Sequence, residues 1–294
     1  MPPATIWTRA SAGASDARHV PEIVWPFAVA GAFRMKNVTH RDAREDWRRF
    51  DATAIPSKAS TPHLDRFLAE VAASAAGQPP LALLDIGCGD GRLTKQLHDR
   101  GFSVTGVDVN PAAVRAAQAL AGTIDETGRP LRFHEADMAA DDPPQLDAAP
   151  FDVVVCQLVL SIIGDGGHRR NLLRHARSNL VPGGWLYLSA SGVSDAINPG
   201  YARLYAADFP QTGERHTYYS RDAEGRILYA THHFTSEELA SLLEQEGFSD
   251  RAVTTEREAS SRRPDEAAYF LYATCRNGSH TPCIRSPISP QSWT

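Results

Sequence analysis

The chain has 294 residues, 42% of them hydrophobic and 22% charged, which is ample for one large core and excludes a fibrous or low-complexity protein. Its 30 basic residues against 35 acidic ones give a formal net charge of −5, which argues against a nucleic-acid binder. Cys88, Cys156, Cys275 and Cys283 are scattered without metal-type spacing and suit a reducing, cytoplasmic compartment, while no run reaches the ~18 apolar residues of a membrane helix.

Residues 1–34 are rich in Ala, Ser and Pro without a sustained period and read as a loose, disordered leader. Met35 offers a second translation start beside Met1. The apolar stretch at 23–33 is broken by Pro26 and Gly31 and follows Asp16 and Glu22, so it reads as no targeting segment. Thr39 can cap a helix running to about residue 54 and carrying Trp47 and Phe50. Pro62 opens a second helix with Leu64, Phe67, Leu68 and Val71 on one face, stopped by Gly77-Gln78-Pro79-Pro80. Mild basic clusters at 41–49 and 168–177 have helical spacing and read as solvated faces.

The stretch that follows organises the rest. Leu81-Ala82-Leu83-Leu84 is a short apolar run that reads as a strand buried on both faces, ending at Asp85-Ile86. Gly87, Gly89 and Gly91 then turn the chain into a helix over 92–100. Strand, glycine turn and helix make a nucleotide-binding elbow, in which glycine lets a ligand approach where a Cβ would clash. Strands are expected at 103–108, 131–135, 151–157 and 185–189, separated by helices at 111–121 and 167–180. That alternation predicts a parallel sheet covered by helices on both faces.

The rhythm breaks at 191–233, which holds Tyr201, Tyr205, Tyr218, Tyr219 and Tyr229, with His216, His232 and His233 among Gly, Asn and Pro breakers. Thr235-Ser236-Glu237-Glu238 is a capping box for a helix closed by Gly247. Segments 250–257 and 267–275 read as a terminal strand hairpin, and 276–294 as a disordered tail.

Several of these features, in this order, resemble the class I S-adenosylmethionine-dependent methyltransferases over about 39–275. The resemblance rests on Leu83-Leu84-Asp85-Ile86-Gly87-Cys88-Gly89-Asp90-Gly91, Val107-Asp108, Ala136-Asp137-Met138 and Phe151-Asp152-Val153-Val154. It continues through Leu180-Val181-Pro182-Gly183-Gly184 and Phe234-Thr235-Ser236-Glu237-Glu238-Leu239 to Glu246-Gly247-Phe248. It implies a Rossmann-like seven-stranded α/β sheet, mostly parallel, with the last strand antiparallel between the fifth and sixth. The methyltransferase domain would span 35–275, with 191–233 inserted as a substrate lid. A nicotinamide dehydrogenase is the competing reading, but its fingerprint is Gly-x-Gly-x-x-Gly, and here the third glycine comes one residue early.

The resemblance also implies roles. Backbone near Gly87 and Gly89 would approach the amino-acid part of S-adenosylmethionine, with Asp85 ordering the loop and engaging the ammonium indirectly. Asp108 would accept both ribose hydroxyls, and Asp137 and Met138 would frame the adenine. Gln157 and Leu158 would line the cleft near the methyl group. Cys88, Gly91 and Val109 complete the expected cofactor set, Cys88 as a small filler rather than a nucleophile.

Methyl transfer from a sulfonium needs alignment and exclusion of water, and a base only where the acceptor must lose a proton. Strand four is followed by Cys156-Gln157-Leu158-Val159, not the Asn/Asp-Pro-Pro-Tyr/Phe of amino-directed nucleic-acid methyltransferases. No catechol-type metal carboxylate set presents itself, so no metal is expected. Candidates for acceptor binding or proton removal are His216, Tyr218, Tyr219, His232 and His233, while Trp47, Phe50 and His63 would form the other half of the lid. The expected activity is methyl transfer to a small-molecule acceptor, without nucleic-acid or membrane partners. A protein or RNA methyltransferase and a non-catalytic cofactor-binding subunit are the alternatives.

Overall fold

The computed structural model describes residues 47–48, 61–75, 77, 79–121, 128–260 and 265–278. The expected leader, most of the helix at 39–54 with Phe50, and the chain beyond 278 lie outside them.

The parallel half of the sheet is made of β1 (Ala82–Ile86), β2 (Ser103–Asp108), β3 (Leu131–Glu135), β4 (Phe151–Gln157) and β5 (Leu180–Gly192). β8 (Phe248–Ala259) and β9 (Ala267–Asn277) complete it in the order β3-β2-β1-β4-β5-β9-β8. β9 runs antiparallel to both β5 and β8 and sits between them, the expected placement of the final strand. β9 continues two residues past the expected domain end, to Asn277, and β5 extends beyond the expected 185–189 in both directions.

Side chains on β1 and β4 alternate between two cores because strand residues point to opposite faces. Leu84, Ile86, Val154 and Cys156 pack under α4 (Gly166–Ser178) and α6 (Ser236–Gln245). Leu83, Val153 and Val155 pack with Leu64, Phe67, Leu68 and Val71 of α1 (Pro62–Ser74) and Leu97 of α2 (Arg92–Asp99). α1 begins where the sequence asks: Thr61 accepts a hydrogen bond from the Leu64 N–H at 3.2 Å, with Pro62 in the first turn. The capping box also forms, Thr235 accepting from the Glu238 N–H at 3.1 Å. α3 (Pro111–Ala121) packs Val114 and Ala117 on Phe133 and Cys88.

The segment at 191–233 is regular rather than irregular. After β5 it forms α5 (Pro199–Thr212) and then a two-stranded sheet of β6 (Thr217–Arg221) and β7 (Ile227–His232). Asn198 caps α5 by accepting from the Gly200 N–H at 3.0 Å, with Pro199 in the first turn, so these breakers are a helix start. Among the described residues no helix is long and apolar enough to cross a membrane.

Candidate functional site

A cavity of about 660 Å³ opens at the carboxyl ends of the parallel strands, where open α/β sheets bind ligands. One wall is the set of loops after β1, β2, β3 and β4; the other is α5 with the β6–β7 hairpin.

The first wall is fixed by backbone bonds. The Gly87 and Cys88 N–H groups both donate to the Val107 carbonyl, at 2.8 and 3.0 Å, folding the glycine loop over the end of β2. Gly87 has φ +78°, and a Cβ there would run into the Val159 side chain. Gly89 has open space where its Cβ would be, so a ligand can reach its backbone. Gly91 is the one member of the expected cofactor set that does not line the cavity. It instead starts α2 at φ +81°, and a Cβ there would meet Ala117 and Phe133 at 2.8 and 2.9 Å. Its glycine is required by packing behind the loop rather than by a ligand in front of it.

Asp85 and Asp108 are among the carboxylates that line this wall. Asp85 is only 2% exposed and accepts from the Thr94 hydroxyl at 2.7 Å. Burial pushes its carboxyl up to about 6; the Thr94 hydrogen bond opposes this and the nearby Asp108 adds to it. Asp108 accepts the Gly89 N–H on one oxygen at 2.9 Å and the Asn110 N–H on the other at 2.8 Å. Burial raises its carboxyl too, opposed by those backbone donors. Each carboxylate oxygen can accept two hydrogen bonds, so both retain capacity for a ligand hydroxyl. Val109, Asp137, Met138, Gln157 and Leu158 also line the cavity. The Asp137 carboxylate folds its own loop by accepting the Ala139 N–H at 3.0 Å. Leu158 adopts φ +59°, a left-handed conformation that costs energy outside glycine, and its N–H is tied to Ser189. The Cys88 thiol is pushed well above its usual value, first by burial and then by Asp85 and Asp108, which makes it inert as a nucleophile.

Asn110 is a site residue that the glycine and acid motifs do not announce. Its side-chain oxygen accepts from the Ala112 and Ala113 N–H groups, and its amide donates to the Trp47 carbonyl at 3.1 Å. The Asn-Pro pair at 110–111 carries the signal, since Asn is a preferred cap and Pro a preferred first residue. Trp47 lines the cavity, donates its indole N–H to the Ile162 carbonyl at 3.2 Å and packs on Tyr229 at 4.4 Å. His63 does not reach the cavity; it stacks on Tyr272 at 4.2 Å and faces Glu256 at 3.5 Å.

The second wall separates the insert candidates. Tyr218, Tyr219 and His233 line the cavity; His216 and His232 do not. Strand alternation explains the two adjacent histidines, since Tyr229, Thr231 and His233 face the cavity and His232 faces the other way. There His232 bonds the Thr217 hydroxyl at 2.7 Å and Glu238 at 2.9 Å. His216 sits at φ +59° with its ring against Tyr205, and burial, then Arg215, lowers its basicity.

A family model described as a methyltransferase domain matches residues 84–186. A ubiquinone biosynthesis O-methyltransferase of Leptothrix cholodnii is 34% identical over 110 residues, 37% of this chain and 43% of that protein. One from Paramagnetospirillum magneticum is 37% identical over 105 residues, 35% of this chain and 38% of that one. The match thus spans less than half the length of these curated relatives. Among solved structures, a SAM-dependent methyltransferase from Methanosarcina mazei superposes with a TM-score of 0.61 at 27% identity, covering 70% of this chain and 96% of that one.

Proposed function

The chain belongs to the class I S-adenosylmethionine-dependent methyltransferases, and on that premise we propose that it transfers a methyl group from S-adenosylmethionine to a small-molecule acceptor. The observation that carries the reading is the single cavity in which the glycine elbow and Asp108 face an aromatic second wall. The first wall fits the cofactor: Gly89 leaves open space over its backbone, and Asp85 and Asp108 set two carboxylates beside it.

In this proposal Asp85, Gly87, Cys88 and Gly89 hold the amino-acid end, Asp85 acting on the ammonium through the loop. Asp108 and Val109 hold the ribose, and Asp137 and Met138 the adenine. Gln157 and Leu158 flank the reacting end, while Gly91 supports the loop from behind. When bound there, S-adenosylmethionine supplies a methyl group on a positively charged sulfur. The chain's own contribution is alignment and dryness: the strand ends fix one reactant, and the rings of the second wall orient the other and exclude water. The small-molecule names of the curated relatives support an acceptor of that size. The second wall, with Tyr218, Tyr219 and His233, serves as the acceptor subsite.

Calorimetric titration with S-adenosylhomocysteine tests the cofactor assignment. Saturable binding with one site per chain is expected, and a folded sample that takes up none overturns the proposal.

A further inference from the structure

His233 lines the cavity yet is only 3% exposed, and it is held from three sides. Its backbone N–H donates to the His216 carbonyl at 3.0 Å, and the next residue bonds β5 through the Phe234 N–H and the Ser191 carbonyl at 2.9 Å. Its ring Nδ1 lies 2.7 Å from the Tyr205 hydroxyl, and Tyr205 is not part of the cavity lining. The opposite edge, Nε2, faces Tyr218 at 3.5 Å, a residue that does line the cavity. The ring therefore spans the wall, with one nitrogen anchored inside the protein and the other turned to the acceptor subsite. The rings of Tyr201 and Tyr218 pack on it at 4.8 and 5.3 Å.

Burial raises the Tyr205 phenol well above its usual value, so Tyr205 stays neutral and can accept a hydrogen bond from Nδ1–H. That bond selects the tautomer with the proton on Nδ1 and leaves Nε2 as the basic atom, as an orienting partner does for any catalytic imidazole. Among the described residues, Tyr201 and Tyr205 from α5 and Tyr218 from β6 face His233, with Asp195 and His216 near Tyr205.

We propose that His233 is the general base of this site, positioned by Tyr205, and that its proton donor is a hydroxyl carried on an aromatic acceptor. The inference rests on the proposed function. The aromatic part of the acceptor follows from the lining: Tyr201, Tyr218, Tyr229, Tyr269 and Phe270 give a planar ligand ring faces and edges to pack against. In the step, the acceptor O–H bond breaks, the proton moves to Nε2 and the oxygen keeps the electron pair. That pair forms the O–C bond to the methyl carbon while the C–S pair returns to sulfur, and His233 later releases its proton to water. Tyr205 is a positioning residue and takes no part in bond making.

The test uses the full chain with S-adenosylhomocysteine and 4-nitrocatechol, whose visible band reports its ionisation. Below neutral pH the probe bound to wild type is expected to be ionised about tenfold more than in solution, one pK unit or more. His233→Gln should abolish that shift while cofactor affinity stays within about threefold, as expected of a residue outside the cofactor wall. Tyr205→Phe should retain part of it, at a displaced pH midpoint. An ionised probe in His233→Gln overturns the proposal, as does a probe that binds wild type protonated or not at all. If His233→Gln does not fold, Tyr205→Phe decides alone, and an unchanged spectrum there overturns the positioning role. Calorimetry separates the two readings: wild type that ignores S-adenosylhomocysteine defeats the methyltransferase proposal, while the probe titrated without it still reports on the base.

Discussion

On one wall of the cavity the loops after β1, β2, β3 and β4 meet a ligand with backbone groups and carboxylates; on the other, α5 and the β6–β7 hairpin meet it with rings. The first wall is set by strand ends and hydrogen bonds such as those of Gly87 and Cys88 to Val107. The side chains of Asp108, Asn110 and Asp137 hold its loops by accepting backbone N–H groups. The second wall is set by which face of a strand a residue occupies, so one step past the end of β7 moves a histidine from His232's interior network to the cavity. The difference suits the two reactants: a fixed partner can be read by backbone, whereas the identity of an acceptor has to be read by side chains.

The largest expected effect is on the first wall. Asp108→Ala removes the acceptor of the Gly89 and Asn110 N–H groups and the proposed ribose contacts. Two lost hydrogen bonds to a charged group, at about 1.5–3 kcal/mol each, should weaken S-adenosylhomocysteine at least about a hundredfold by calorimetry. Affinity within about tenfold of wild type would show that this wall does not read the cofactor through Asp108.

Gly87→Ala comes next and tests whether backbone shape alone defines that wall. A Cβ at φ +78° against Val159 combines left-handed strain with overpacking, together about 2–5 kcal/mol. The thermal midpoint should fall by roughly 5–15 °C. Adding Val159→Ala should recover the overpacking part and leave the strain. A single mutant as stable as wild type would mean that the loop yields easily.

The two walls also differ in how far the sequence disclosed them. The elbow was legible because its signal is local: an apolar strand, three glycines and an acid within a few residues. The order of the sheet followed from the alternation of elements and from the resemblance. Glycine spacing groups Gly91 with the ligand-facing glycines because it cannot tell a ligand in front of a loop from Phe133 behind it. The insert looked irregular because Asn198-Pro199-Gly200 reads as a breaker when it is a capped helix start, and because Pro210 lies inside that helix. Five tyrosine and histidine candidates there could not be ranked, since their separation depends on strand register and on the partner each ring finds. His63, grouped by proximity in sequence with Trp47, was drawn away by a ring on β9.

A pH titration sharpens the first wall further. Asp85 ionises at about 6 in the folded chain against 3.8 for an ordinary aspartate, so between those values the folded state binds more protons than the unfolded one. Its contribution therefore falls as pH rises through that window, by roughly 3 kcal/mol at 1.36 kcal/mol per pK unit. Denaturant unfolding of the cofactor-free protein should lose stability from about pH 4 to 6, and Asp85→Asn should flatten that component. If the ammonium of the cofactor is felt by Asp85, S-adenosylhomocysteine binding should strengthen over the same range. An affinity flat from pH 4 to 7 would place Asp85 in the loop's structure only.

The smallest expected effect sharpens the second wall, because it uses the histidine that faces away. His232 joins the Thr217 hydroxyl to Glu238 and lies 3.6 Å from Glu214, which pairs with the buried Arg169. The network ties the hairpin to α6 and α4. Burial pushes the Glu238 carboxyl up, but the hydrogen bond and charge of His232 outweigh it and hold that carboxyl below its usual value. His232→Gln preserves the shape and one of the two bonds, so the loss should be about 1–3 kcal/mol, or some 2–10 °C in the thermal midpoint. Cofactor affinity and probe ionisation should not change, because the side chain lies outside the cavity lining. Were His232→Gln to suppress probe ionisation as His233→Gln is expected to, the proton path would run through the interior network, and the two faces of β7 could no longer be given separate roles.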